Sequence, residues 1–341
     1  MSTVIVNYYN ELKKTVHADL IANDTIEDEY KKLFIENGDE VFLLKCRKKN
    51  PILYMRKIFL IARSKDYDII YIHGNSGTLI LELLALKNIK SKVIVHAHGV
   101  KTNHFFIHKL FKKSINSLCD LRFAASEEAG NFLFGDYDFT VIPNGISVEK
   151  YYFDSSIREK TRKRFGINEN EKLIVQIGAF TFQKNYEFTI DVANYLNRNS
   201  NIIFLLVGDG PEKTSIYKKI KKLKLERIVE IHNSMPNINE LLMAADGVVF
   251  PSRFEPFGIV ALEAQAAGVP IAVSDKFSKK LNITELISYI PLSVKLWDQW
   301  IRDLEKRKGN KNGDYPELVK RSGYDIKENS KIMLDIFNKI V

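Results

Sequence analysis

The chain has 341 residues, 45% hydrophobic and 27% charged, with 17 Gly and 9 Pro; it is long for one domain and excludes a low-complexity or disordered polymer. Two cysteines, Cys46 and Cys119, exclude a disulfide framework and a cysteine-rich metal site, and read as reduced thiols of a cytoplasmic protein. The net charge of +9 admits nucleic acid, an anionic membrane face or phosphorylated substrates as partners, but no zinc-finger spacing or RNP-type aromatic string supports nucleic acid.

The N-terminal MSTVIVNYYN lacks the basic segment and apolar run of a signal peptide. No apolar stretch reaches the ~20 uncharged residues of a spanning helix, so the expectation is a soluble or peripheral protein. Val4, Val6 and Tyr8 alternate like a strand, whereas Val4, Ile5, Tyr8, Tyr9 and Leu12 repeat like a helix face. Next come VHADLIAND, DEVFLLK, YDIIYIHG, KVIVHAHG, LRFAAS and FTVIPNG, predicted as strands and separated by amphipathic stretches such as TLILELLALKNI. Their Val/Ile-rich runs suit parallel strands covered on both faces, and the alternation predicts a doubly wound sheet.

A charged, flexible-looking stretch, SSIREKTRKRFGINENE, follows. The pattern then restarts with LIVQIGAF, NIIFLLVGDG, RIVEIHN, GVVFPS and PIAVSD. The expected architecture is therefore α/β, two Rossmann-like domains in tandem, 1–155 and 165–322, with the carboxyl ends of both sheets at a cleft. Two segments are basic without acids. Residues 45–63 hold seven Lys/Arg, and residues 101–113 hold four Lys and two His among aromatics. They read either as solvated helix faces or as an interfacial surface with apolar anchors.

GDGPEK at 208–213 lacks the third glycine of a dinucleotide fingerprint and reads as a tight turn after a strand. The two D-x-D pairs at 66–68 and 136–138 fall at a strand's amino end and in a loop, and read as surface turns rather than metal sites. His73, His96 and His98 end neighbouring strands, on the side where parallel sheets bind ligands. Lys184 follows Gly178 past a strand end and can meet an anion.

In FEPFGIVALEAQAAGVP, 254–270, Gly258 allows close backbone approach to a ligand. The amides of Phe257, Gly258 and Ile259 would be unsatisfied donors at a helix start. Glu255 and Glu263 are eight positions apart, about 12 Å if all helical. That is too far for the ~5 Å dyad of a retaining hydrolase. The spacing suits two hydroxyl-bearing groups with an anion between them, as in a ribose, a diphosphate and a sugar.

These residues resemble the E-x(7)-E segment of retaining GT-B glycosyltransferases, those of bacterial capsule and exopolysaccharide synthesis above all. VIPNGI at 141–146, GAFTFQKN at 178–185, GDGP at 208–211 and AADGVVFPS at 244–252 agree in order and spacing. The resemblance implies a GT-B fold with an acceptor-binding N-terminal domain and a nucleotide-sugar-binding C-terminal domain. It also implies a helix at 323–341 crossing back to the first domain. Residues 4–14 would be the first helix, the strand and Gly-rich turn that precede it in relatives being absent from the chain as written. Glu255 is then expected to contact the donor sugar, Glu263 the ribose, and Phe257, Gly258 and Ile259 the sugar or diphosphate. Lys184 is expected at the leaving diphosphate beside Gly178, and His98 at the donor sugar.

No cofactor and no metal are expected, Lys184 and the helix start supplying the charge stabilisation. One departure stands out: the arginine usual after the glycine of G-R-x(4)-K is Ala179, for which Arg253 is the candidate substitute. The implied activity is hexose transfer from a nucleotide-sugar, UDP-linked, to a lipid-pyrophosphate-linked saccharide at the inner membrane face. The competing reading is a GT-B-like subunit without turnover, and a sugar-nucleotide epimerase of the same fold is a third.

Overall fold

The computed structural model describes residues 2–23, 25–196, 201–307 and 313–341. The chain divides into two compact units, Met1–Gly145 together with Ile326–Val341, and Ile146–Asp325. The break therefore comes at Gly145, earlier than the expected linker. SSIREKTRKR is not a flexible link but a helix, Ser155–Arg164, capped by Asp154. Two of its basic residues point into the unit: Arg158 and Arg162 hold Asp246 at 2.7 and 3.0 Å. Burial pushes the Asp246 carboxyl up, but the Leu173 amide and the two guanidinia outweigh it and hold it below the ordinary value. Charge density alone therefore misled the linker expectation.

In the first unit, β1 (Leu20–Ala22) pairs in parallel with β2 (Val41–Leu43). A separate parallel sheet runs β3 (Ile69–Gly74), β4 (Lys92–Ala97), β5 (Leu121–Ala124) and β6 (Thr140–Val141) in that order. One face of this sheet carries Val93, Val95, Ala97 and Ala124 against Leu79, Leu83, Leu86, Ile115 and Leu133. The other carries Tyr71, His96 and Phe123, whose rings meet one another. Phe337 of the last helix, Ile326–Ile340, lies against Tyr71 and Phe123 at 5.9 and 6.4 Å. The first residues form a helix, Ser2–Leu12, which packs on that last helix. The 3.6-residue reading of Val4, Tyr8, Tyr9 and Leu12, all buried, prevails over the alternating one.

The second unit is one six-stranded parallel sheet, β7 (Lys172–Ile177), β8 (Ile202–Val207), β9 (Val229–His232), β10 (Gly247–Phe250), β11 (Ile271–Ser274) and β12 (Ile287–Ile290). Its strands lie in the order β12-β11-β10-β7-β8-β9. Side chains alternate between two cores, as period two requires. Leu173, Val175, Leu205, Val248 and Val273 face one core with Ala261 and Leu262. Ile174, Phe204, Leu206, Val249 and Ala272 face the other with Ile190, Trp297 and Trp300. The sequence reading missed β12: ISYI is short and only its first residue is buried.

Candidate active site

Counted in chain order, the strands of the second unit have the doubly wound order 3-2-1-4-5-6. The order reverses between β7 and β10, and the helices that follow them leave on opposite faces, which opens a crevice at the carboxyl ends of those two strands. The loop after β7 is Gly178–Asn185, and the loop after β10 is Pro251–Gly258. The topology alone thus places the GAFTFQKN and FEPFG segments side by side.

Hydrogen bonds stitch these loops together. The Asn185 amide group donates to Pro251 O at 3.0 Å, the Arg253 amide to Gln183 O at 2.8 Å, and Gln183 Nε2 to Phe254 O at 2.8 Å. Lys184 Nζ donates to Glu255 Oε2. Glu255 is buried and forms an isolated parallel bridge with Phe277, so its backbone is extended and not part of the helix. The alkyl stem of Lys184 runs past Gly178, where a Cβ would stand 3.5 Å from Lys184 Cε. GDGP packs against the same loop: a Cβ on Gly208 would fall 1.9 Å from Gly178 O, and Phe180 N donates to Asp209 O at 2.8 Å. The glycine there serves loop-on-loop approach, as a tight turn after a strand should.

The helix after Glu255 is Ile259–Ala266, and its N-cap Gly258 has φ +84°. Only glycine adopts this without strain, and a Cβ would also strike Phe277 Cε1 at 2.5 Å. Gly258 has no side chain to cap the helix. Among the described residues the amides of Phe257, Gly258, Ile259 and Val260 have no hydrogen-bond acceptor. Four donors at the positive end of a helix dipole, at the mouth of the crevice, form an anion-binding arrangement.

Glu263 lies one turn further into this helix, beside the buried Tyr151 side chain. Burial pushes the Glu263 carboxyl up to about 7, opposed by the Tyr151 hydroxyl and Lys150. Tyr151 was not singled out in the sequence, where EKYYF offers no pattern to mark it. Ala179 is exposed, and the Arg253 guanidinium lies over the Phe182 ring at 4.1 Å. Arg253 thus lies in the loop after β10, stacked on an aromatic ring rather than paired with Glu255.

Gly178, Lys184, Arg253, Glu255, Phe257, Gly258, Ile259 and Glu263 all belong to the second unit. His98 belongs to the first, where it is part of a histidine cluster. Its Nε2 is 2.9 Å from His73 Nδ1 and its Nδ1 is 3.1 Å from Asn144 Oδ1, and its amide donates to Asn75. Burial pulls its imidazole down to about 4, with the Asn144 contact opposing. At neutral pH His98 is uncharged and serves as a hydrogen-bonding group, not a cation.

Two family descriptions match, one to each half. "Glycosyltransferase Family 4" matches residues 1–150, and "Glycosyl transferases group 1" matches residues 157–284. EpsF of Bacillus subtilis, a glycosyltransferase by name, is 25% identical over 98% of this chain and 92% of its own length. The Escherichia coli UDP-Gal:alpha-D-GlcNAc-diphosphoundecaprenol alpha-1,3-galactosyltransferase is 28% identical over 67% of this chain and 64% of its own. The crystal structure of Anabaena HepE in complex with UDP and glucose superposes with a TM-score of 0.78 at 18% identity, covering 98% of this chain and 95% of that one. With one description on each half, two Rossmann-like units and this likeness over nearly the whole length, the chain is a GT-B glycosyltransferase with a family 4 N-terminal domain and a group 1 C-terminal domain.

Proposed function

We propose that the protein transfers a hexose from a UDP-sugar to a lipid-pyrophosphate-linked saccharide in exopolysaccharide or capsule synthesis, with retention of anomeric configuration. The observation that carries the donor half is the row of unpaired amides at 257–260 next to the Lys184–Glu255 pair, at the switch point of the second sheet. Amides and ammonium suit a diphosphate, and the Glu255 carboxylate suits sugar hydroxyls. Glu263 holds the ribose. The names of the Escherichia coli relative and of the HepE complexes support a UDP-linked donor, and the former supports a diphospholipid acceptor.

In this reading the bond from the anomeric carbon to the diphosphate oxygen breaks as the bond to the acceptor oxygen forms on the same face. The acceptor proton passes to the departing phosphate. Lys184 and the helix-start amides take up the charge that grows on the leaving group, in place of a metal ion.

The acceptor half draws on surface chemistry. The helix Phe105–Leu118 exposes Phe105 (61%), Phe106 (87%) and Leu110 (71%) beside the exposed Lys109 and Lys113. Apolar anchors next to lysines suit the headgroup region of an anionic leaflet. No helix among the described residues is long and apolar enough to cross a membrane. Residues 45–63 add a second such face, with Ile52 (81%) and Leu60 (54%) exposed on the helix Pro51–Ser64.

A panel of UDP-, GDP- and dTDP-sugars tested by thermal shift, followed by NMR of the product formed on a polyprenyl-diphosphate saccharide, tests this reading. Stabilisation by UDP-sugars and an α product from an α donor are expected. An inverted product, or no stabilisation by any nucleotide-sugar, contradicts it. A second reading, binding without turnover, is favoured by one observation: Ala179 leaves no arginine after Gly178, and Arg253 is stacked on Phe182. Product formation in the same assay excludes it.

A further inference from the structure

His73, His96 and His98 come from the ends of β3 and β4 and the residue just beyond. Each offers a ring nitrogen, and the three nitrogens lie within 4.8 Å of one another. His73 Nδ1 and His98 Nε2 are already 2.9 Å apart. Nitrogens bound at ~2.0–2.1 Å to one tetrahedral ion sit roughly 3.3 Å from each other, so binding closes the spread of up to 4.8 Å and turns the His96 and His98 rings, now 4.1 Å apart and tilted by 30°, toward a common point.

The second observation concerns His96. It is buried, and among the described residues its Nε2 makes no hydrogen bond of ordinary geometry, the Ile142 backbone contributing only the smallest of the influences on the ring. Such an orphaned nitrogen is costly in a protein interior unless something takes it up. Its other nitrogen, Nδ1, is 2.5 Å from the Tyr71 hydroxyl. With the proton on Nδ1 and directed to Tyr71 Oη, Nε2 presents a lone pair. His98 repeats the pattern, with Nδ1–H directed to Asn144 Oδ1 and the Nε2 lone pair directed to His73. An outer group that fixes the tautomer of a ligating imidazole is the usual second sphere of a histidine metal site.

We propose that His73, His96 and His98 bind one borderline divalent transition-metal ion, Zn²⁺ or its surrogates Co²⁺ and Ni²⁺, through His73 Nδ1, His96 Nε2 and His98 Nε2. His73 moves its proton to Nε2 on binding, so no proton is released. Three neutral imidazoles satisfy such an ion and leave its fourth position to water. Mg²⁺ and Ca²⁺, which take oxygen ligands, are excluded by the donor set. The site is distinct from the diphosphate residues, and the transfer proposed above still needs no metal there. It ties β3 to the end of β4, so occupancy stabilises the first unit.

The test uses the full chain in metal-free buffer. Co²⁺ titration is expected to give the visible absorption of a tetrahedral cobalt centre at one equivalent, displaced by Zn²⁺, and Zn²⁺ but not Mg²⁺ to raise the melting temperature. His73→Gln should abolish the cobalt spectrum. Asn144→Ala should weaken binding by about 10–100-fold. A His17→Gln/His104→Gln pair, at exposed positions, should leave it unchanged. Absence of the tetrahedral spectrum in the unaltered protein at saturating Co²⁺ overturns the proposal without any variant. So does a spectrum that survives His73→Gln and is lost in the His17→Gln/His104→Gln pair.

Discussion

Lys184 and Glu255 stand 71 positions apart in the chain, and their side chains are joined in a hydrogen-bonded ion pair at the carboxyl ends of two adjacent strands. Glu255 is the more buried partner, with a side chain 10% exposed against 23% for Lys184. Removing the lysine leaves a carboxylate with little water and no counter-charge. Lys184→Ala should cost on the order of 2 kcal/mol, below the ~3–5 of a fully buried pair because Lys184 keeps some exposure. It should also lower turnover by about 10²–10³-fold if the ammonium meets the diphosphate. Glu255→Ala should spare binding of free UDP while cutting turnover. Denaturant melts, calorimetry with UDP and rate measurements on the two variants check this; equal loss of UDP affinity in both would defeat the division of roles.

Glu263 makes a pH prediction. Its carboxyl titrates at about 7 in the folded protein because burial disfavours the charge. In the unfolded chain it titrates near the ordinary value of 4.5. The folded state therefore holds this proton more tightly. The resulting stabilisation is complete below about 4.5 and is lost as the pH rises to about 7. Glu263→Gln, which keeps the shape of the protonated form, should flatten that slope and raise the melting temperature at about pH 8. Ribose hydroxyls favour the carboxylate, so UDP affinity of the unaltered protein should rise with pH up to about 7 and then level off. Glu263→Gln should bind UDP more weakly and without that pH dependence. Calorimetric UDP titrations across this range decide it.

Gly258→Ala tests the helix start. The substitution meets both a positive φ and Phe277 at 2.5 Å, so it should destabilise by about 1–3 kcal/mol. It should also move the amides of 257–260 and weaken UDP binding at least about 10-fold, since a 1.4 kcal/mol loss of anion contacts has that size. Gly166→Ala, likewise at positive φ (+65°) but with nothing within 4 Å, is the control for backbone strain alone and should leave UDP affinity intact.

Membrane attachment through the helix Phe105–Leu118 should be reversible and salt-sensitive, because exposed charges are screened beyond ~8 Å at physiological ionic strength. Lys109→Glu with Lys113→Glu should reduce flotation with anionic vesicles, and Phe106→Ser with Leu110→Ser should do so even at low salt. Lys112 is a poorer choice, since its ammonium donates to Asn131 O at 3.0 Å and its loss affects the fold. Salt-independent flotation, or none, contradicts the peripheral reading.

The sequence by itself determined the class of fold, most of the strands in chain order and the two segments, GAFTFQKN and FEPFG, that meet at the switch point of the second sheet. Val/Ile runs such as IIFLLV, buried along their whole length, are legible because parallel strands covered on both faces need them. Gly258 is legible because a left-handed residue at a helix start favours glycine. Tertiary structure decided the rest, because its causes are distant in sequence. Arg158 and Arg162 read as a flexible link, and Asp246, 88 and 84 positions away, together with the Ala244 carbonyl, turns them into the unit. Tyr151 carries no local signal, and the approach of Glu263 gives it a role. His73, His96 and His98 were visible as strand-end histidines. That they share one small volume, with an unpartnered Nε2 on His96, follows from the parallel register of β3 and β4, which sets His73 opposite His96. Hydrophobic periodicity is a local property and survives in the sequence, whereas pairing of charges and ligands depends on which strand ends the sheet order brings together.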